Sequence, residues 1–192
     1  VATQEKPIMS MNHPDPLLVP DPATDHILGP ASAPVTLLEY GDFECPMCKE
    51  AHGAVKILLR EHGKRLRFVY RHFPDLEAHP HAEKAAEAAE AVAAQGHFWP
   101  YFDILFDRQA HLKDKALRQY AEEVGADMMR FDHEMQDRIY LQRVQEHAAG
   151  ARRLGILTMP AFYVNGQLVD VSFGLERLDT AIAQALKARS GG

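Results

Sequence analysis

The sequence predicts an α/β protein: a central sheet of about four strands flanked by helices, with a helical subdomain inserted into it. Three observations carry this. A strand–helix–strand unit lies within residues 25–78, about 80 residues of helical periodicity fill 79–155, and a hairpin followed by a helix fills 156–189. Strand, helix and strand in close succession form a parallel pair joined by a right-handed crossover. The first and last parts then share one sheet, and the middle part interrupts it.

The elements follow in order. Residues 1–24 hold five prolines and no apolar core of a leader peptide, so they read as an extended N-terminal arm. Val35-Thr36-Leu37-Leu38-Glu39-Tyr40 is a β-rich run broken by one charge, which suits a buried central strand. A helix is expected from Pro46 to Glu61, with Met47, Ala51, Val55, Leu58 and Leu59 at helical spacing and Gly63 as its stop. Leu66–Tyr70 is the second strand.

Residues 82–95 place Glu83, Glu87 and Glu90 on one face of a helix and alanines on the other, the pattern of a packed structural helix. Further helices are expected at 98–108 (Phe98, Phe102, Leu105, Phe106), at 113–124, after an Asp127 cap through Phe131, and at 138–154. Ala161–Val164 and Gln167–Val171 flank Asn165-Gly166, a dipeptide suited to a type I′ hairpin turn. A last amphipathic helix uses Leu175, Leu178, Ile182 and Leu186, and 190–192 form a tail.

Composition narrows the function. With 46% hydrophobic and 25% charged residues the chain is an ordinary globular one. A net charge of −6 argues against a broad nucleic-acid surface. No apolar run approaches the roughly 18–20 residues of a membrane span. The chain has two cysteines, Cys45 and Cys48, and they form a single CxxC. Such a pair is a redox couple, half of a metal site, or an accident.

The pair sits where a strand hands over to a helix. Cys45 falls at the N-cap and Pro46 at the first helical position. The first N–H groups of a helix lack intrahelical partners and carry partial positive charge. A sulfur there is stabilised as thiolate, the attacking species in disulfide exchange. Cys45 is therefore the expected nucleophile. Cys48 lies one turn deeper, beside Ala51, Val55 and Leu59, and is the expected resolving cysteine. Glu39 is a candidate to relay the proton that Cys48 must lose; an edge position reaching solvent is its bland alternative. A zinc site on Cys45, Cys48 and His52, with His72 as a fourth ligand, lacks the second half-site that zinc usually has. Most of the eleven histidines read as exposed and unremarkable, and His79 and His81 flank Pro80 in an expected loop.

Four segments together, VTLLEYGDFECPMC, RFVYRHFPD, HPHAEKAAEAAEAVAAQGHFW and MPAFYVNG, resemble the DsbA-like branch of the thioredoxin superfamily over about residues 26–187. The resemblance implies a thioredoxin fold with a helical insertion and thiol–disulfide oxidoreductase activity on protein thiols and disulfides, with an unidentified redox partner and no dissociable cofactor. It implies that Cys45 is the exposed nucleophile, Cys48 its buried partner and Glu39 the buried acid. Pro160 matches the cis-proline facing the CxxC, with the Met159 backbone placed to pair with a substrate strand. Pro46, Met47, Met159 and Pro160 are thus the expected substrate-binding residues.

Two departures stand out. Met159 replaces the usual Thr or Val before the proline, and Pro46-Met47 replaces the Pro-His of the strongly oxidising members. With no imidazole between the cysteines and with Asp42 and Glu44 nearby, a less oxidising pair is expected. A glutathione-linked transferase on the same fold and a non-catalytic client-binding module are the competing functions. The lack of a visible leader favours the cytoplasm, with the bacterial periplasm as the alternative; a leader removed ahead of Val1 is compatible with the sequence.

Overall fold

A computed structural model describes residues 15–190. Five strands form one mixed sheet in the order β1-β3-β2-β4-β5. They are β1 (His26–Leu28), β2 (Val35–Gly41), β3 (Leu66–His72), β4 (Ala161–Val164) and β5 (Gln167–Val169). Seven helices accompany them among the described residues: α1 (Pro46–His62), α2 (Ala82–Ala93), α3 (Phe98–Asp107), α4 (Asp114–Glu123), α5 (Met128–Gln136), α6 (Leu141–Arg153) and α7 (Glu176–Ser190). β2 and β3 are parallel, as the crossover through α1 requires, and β4 runs antiparallel to β2.

The expected four strands become five. β1 is three residues long, too short to show an alternating pattern, and it pairs antiparallel to β3 at the sheet edge. The expected hairpin is present. Asn165 and Gly166 both have positive φ, 48° and 82°, as a type I′ turn demands. Asn165 also accepts from the Thr36 N–H at 2.8 Å, which ties the turn to the start of β2. β5 ends at Val169, two residues before the expected Val171.

The two sheet faces differ. Val35, Leu37, Phe68, Tyr70, Phe162 and Val164 join the core shared with α1, α3 and α7. Leu38, Tyr40, Val69 and Tyr163 pack on the other side against Ala148 and Ala151 of α6. The alternation along each strand assigns every second residue to the α1 face. Glu39 lies on that face, between Leu37 and Gly41.

Part of the expected arm is packed structure. Residues 1–14 lie outside the described residues, but Pro16–Leu18 form a 3-10 turn with Leu18 buried. Arg71 holds it. Its guanidinium donates to the Leu17 carbonyl and to the Val19 carbonyl, and grips Asp25 with two bonds of 2.6 and 2.7 Å. Proline-rich composition suggested an arm because the partner, Arg71, is remote in sequence.

The acidic side of α2 is likewise largely interior. Glu87 and Glu90 are buried. Arg138 pairs with Glu87 and Glu83, while His26 and His72 both donate to Glu90 Oε1 at 2.7 and 2.9 Å. Buried charges persist when they are paired in this way.

Candidate active site

β2 ends at Gly41, and the turn through Asp42, Phe43 and Glu44 delivers Cys45 to the N-cap of α1. Pro46 occupies the first helical position, where its missing N–H costs nothing. The Cys48 N–H points at Cys45 Sγ at 3.4 Å. Both cysteines are buried, with no disulfide joining them in this structure. Cys48 is fully buried.

Cys45 differs from the exposed thiol that the resemblance implies: its relative exposure is 5%. The loop before β4 comes over it. The Met159–Pro160 peptide bond is cis, and the Met159 carbonyl lies 3.8 Å from Cys45 Sγ. Met47, Met159 and Pro160 line a groove of about 390 Å³, with Leu157, Thr158 and Leu168. Pro46 is exposed but is not among the groove residues.

The two sulfurs have opposite acidities. Cys45 is brought down to about 6, chiefly by its hydrogen bond with the Cys48 thiol. Burial opposes this, the N–H groups of Cys48 and Met47 assist, and the Asp42 charge opposes. Helix-end donors were the expected cause; the neighbouring thiol is the larger one. Cys48 is pushed far up, first by burial, then by donating to Cys45, then by the charges of Glu39 and Cys45.

Glu39 is 1% exposed, in the centre of β2 beneath the pair. Burial, and then the charge on Cys45, raise its carboxyl to about 8. Its strand partners are Tyr70 on β3 and Phe162 on β4. The edge-facing alternative does not describe it. Nor is His52 turned toward the cysteines: its Nε2 lies 3.2 Å from Asp103 Oδ1, and its ring stacks on Phe106.

Sequence reading missed two further groups around the pair. Gln109, in the loop after α3, donates to the carbonyls of Phe43 and Cys45 at 2.9 and 2.8 Å, so the helical insertion holds the cysteine turn. His79 is the second. Its Nδ1 meets Asp42 Oδ2 at 2.8 Å, and that carboxylate also accepts from the N–H groups of Glu44 and Asp75. The His81 N–H likewise occupies Glu44 Oε2 at 2.7 Å. The two acids expected to oppose a thiolate are therefore both engaged. No local signal marks His79, which stands 37 residues from Asp42.

His79 favours its charged form. Partial burial pulls its pKa down, but the bond and charge of Asp42, then Cys45 and Asp75, outweigh this and raise it. His79→Gln keeps a donor for Asp42 and removes the charge. The Cys45 midpoint is then expected to rise by about half a unit to one unit. Thiolate absorbance against pH reads this directly, and an unmoved midpoint would show that the pair has no reach to the sulfur.

The thioredoxin family model matches residues 21–184. The chain belongs to the thioredoxin family. Its arrangement is DsbA-like, with the helical insertion between β3 and β4. A thioredoxin-like oxidoreductase from Silicibacter pomeroyi is 28% identical, with a TM-score of 0.76 over 87% of this chain and 94% of that one. BdbD from Bacillus subtilis shares the fold at 20% identity, with a TM-score of 0.77 over 88% of this chain and 96% of that one. A curated relative, the Na(+)/H(+) antiporter NhaA 1 of Salinispora arenicola, is 43% identical over 170 residues, 88% of this chain and 26% of that protein. The chain thus spans about a quarter of the curated relatives it matches. Among the described residues no helix is long and apolar enough to cross a membrane.

Proposed function

We propose that this thioredoxin-family protein is a thiol–disulfide oxidoreductase acting on protein substrates. The observation that carries the reading is the unequal pair: a Cys45 sulfur brought down to about 6 at a helix mouth, one hydrogen bond from a buried, high-pKa Cys48.

The chemistry follows from that inequality. Above about pH 6 Cys45 is largely thiolate and attacks a substrate disulfide. A bond forms between Cys45 Sγ and one substrate sulfur, and the other leaves as thiolate. Cys48 then gives its proton to the Glu39 carboxylate and attacks Cys45 Sγ. The Cys45–Cys48 disulfide forms and the second substrate thiolate departs. Substrate has gained two electrons and the pair has lost two; substrate oxidation is the same path reversed. Met47, Met159 and Pro160 border the apolar groove where a polypeptide lies beside Cys45, and the Met159 backbone offers pairing to an extended segment.

The test joins a redox titration of the Cys45–Cys48 pair to insulin reduction by wild type and Cys45→Ser. A reversible two-electron couple and activity lost in the variant are expected. A pair that does not oxidise reversibly, or a Cys45→Ser protein as active as wild type, rejects the reading. The potential itself should lie below that of Pro-His members, because the imidazole here acts on Asp42 and not from between the cysteines.

A further inference from the structure

The Cys45 sulfur is aimed by a peptide group with a single handle. As N-cap, Cys45 sits at φ −75° and ψ 121°. From that extended conformation a cap side chain reaches back to a helix N–H, here that of Cys48. The next residue is Pro46, so the Cys45–Pro46 peptide has no N–H, and hydrogen bonds can hold it only through its carbonyl. That carbonyl takes two donors. One is the Lys49 N–H of α1 at 3.2 Å; the other is the Gln109 side chain at 2.8 Å.

Gln109 also holds the Phe43 carbonyl, at 2.9 Å. A carboxamide NH2 has two hydrogens in fixed relation to each other, so one rigid group pins the turn at two peptides, before and after Glu44. Its own footing is secure. Gln109 lies in the loop from α3 to α4, where Arg108 bonds Glu123 of α4 twice at 2.7 Å and lies over the Tyr120 ring. The Tyr120 hydroxyl donates to the His111 carbonyl at 3.0 Å, and Lys49 Nζ of α1 donates to the Asp107 carbonyl at 3.3 Å.

We propose that Gln109 is a positioning residue for the Cys45 sulfur: through the Phe43 and Cys45 carbonyls it fixes the rotation that aims Sγ at the Cys48 N–H, and it thereby makes the helical insertion part of the thiol site. This deepens the oxidoreductase reading and rests on it for the reaction it serves. The N–H groups of Cys48 and Met47 help to lower the Cys45 thiol. Hydrogen bonds to a charged form favour that form, and they weaken steeply as the angle opens. A turn free to rock about the Cys45–Pro46 peptide forfeits them. The titratable groups that meet Cys45 are Cys48 on α1, Glu39 on β2, Asp42 in the turn, Tyr70 on β3 and His79 in the loop after it. Gln109 carries no charge, so its influence on the sulfur is one of geometry.

Gln109→Met keeps the length and bulk of the side chain and removes both donors. Two readings on the reduced protein form the test: thiolate absorbance against pH, and amide exchange followed by nuclear magnetic resonance. The Cys45 midpoint is expected to rise by about one unit, a roughly tenfold smaller thiolate fraction at about pH 5. Cys45 alkylation at that pH should slow by only about threefold, because a more basic thiolate is the better nucleophile. The Cys48 amide should exchange about tenfold faster, while the amides of Val55 and Leu58, deeper in α1, keep their wild-type rates. An unmoved midpoint overturns the inference. So does a raised midpoint with Cys48 exchange unchanged, because the sulfur would then answer to something other than the turn. Faster exchange at all three amides overturns it as well, since Gln109 would then hold the fold and not the cysteine. Neither reading needs a substrate. A shifted midpoint in a protein whose wild type exchanges no disulfides would reject the oxidoreductase reading and leave the Gln109 assignment standing.

Discussion

Cys48→Ser is expected to turn a passing intermediate into the main product. Cys45 keeps its helix-end donors, and the serine hydroxyl replaces the thiol as the donor that does most to lower Cys45. The first attack therefore proceeds. The second does not, since a buried serine hydroxyl neither ionises nor attacks a disulfide. Escape then depends on an external thiol. Well-oriented intramolecular attack has effective concentrations of order 10⁵ M or more, against millimolar thiol in solution, so turnover with insulin should fall at least about a hundredfold. Non-reducing gels of Cys48→Ser mixed with a disulfide client should show a band that reductant removes, and Cys45→Ser should show none. Full turnover by Cys48→Ser would mean that Cys48 does not resolve.

The sequence made much of this site legible because its chemistry is contiguous. Cys45, Pro46 and Cys48 sit together at a strand–helix junction, and Glu39 is visible as one charge in an apolar strand. Asn165-Gly166 marks its own turn. What stayed hidden depends on pairings across the fold. His79 reaches Asp42 over 37 residues and Gln109 reaches Cys45 over 64. Neither has a local pattern, because a loop residue with one remote partner obeys no periodicity. Glu87 and Glu90 follow the same logic. A helical wheel shows three acids on one side, yet the guanidinium and imidazoles that make their burial tolerable come from Arg138, His26 and His72. β1, at three residues, is an edge strand that β3 recruits, and nothing in His26-Ile27-Leu28 announces it. Tyr70 reads as one more apolar strand residue until the register sets it opposite Glu39.

Glu39→Gln is expected to slow the resolving step and to stabilise the fold increasingly as pH rises. The folded protein holds this carboxyl near 8 against an ordinary 4.5, chiefly because burial penalises the charge. Below about pH 4.5 folded and unfolded chains both carry the proton, and the residue has no pH-linked effect. Between 4.5 and 8 the unfolded chain ionises while the folded one does not, so each pH unit costs the fold about 1.4 kcal/mol. By pH 7 the sum is about 3 kcal/mol, an upper figure. Above 8 both are ionised and the cost is constant. Glutamine does not titrate, so the gap between variant and wild-type stability should widen with pH over that window and then level off. Denaturant unfolding at several pH values reads the slope, and parallel curves would mean that Glu39 is not held neutral. Oxidation supplies an internal check. Part of the rise comes from the Cys45 thiolate, which a disulfide abolishes, so the window should close at a lower pH in the oxidised protein. The same reasoning applies to the mixed disulfide, where Cys45 carries no charge and Glu39 is the better ionised for it. The resolving rate should therefore rise with pH to a plateau reached below 8. General-base groups typically contribute about 10²–10⁴-fold, so Glu39→Gln should lower that plateau at least tenfold and flatten the rise. The stability that the carboxyl costs and the proton it accepts have one origin: an acid placed in a dry sheet, under a sulfur that must lose its hydrogen there.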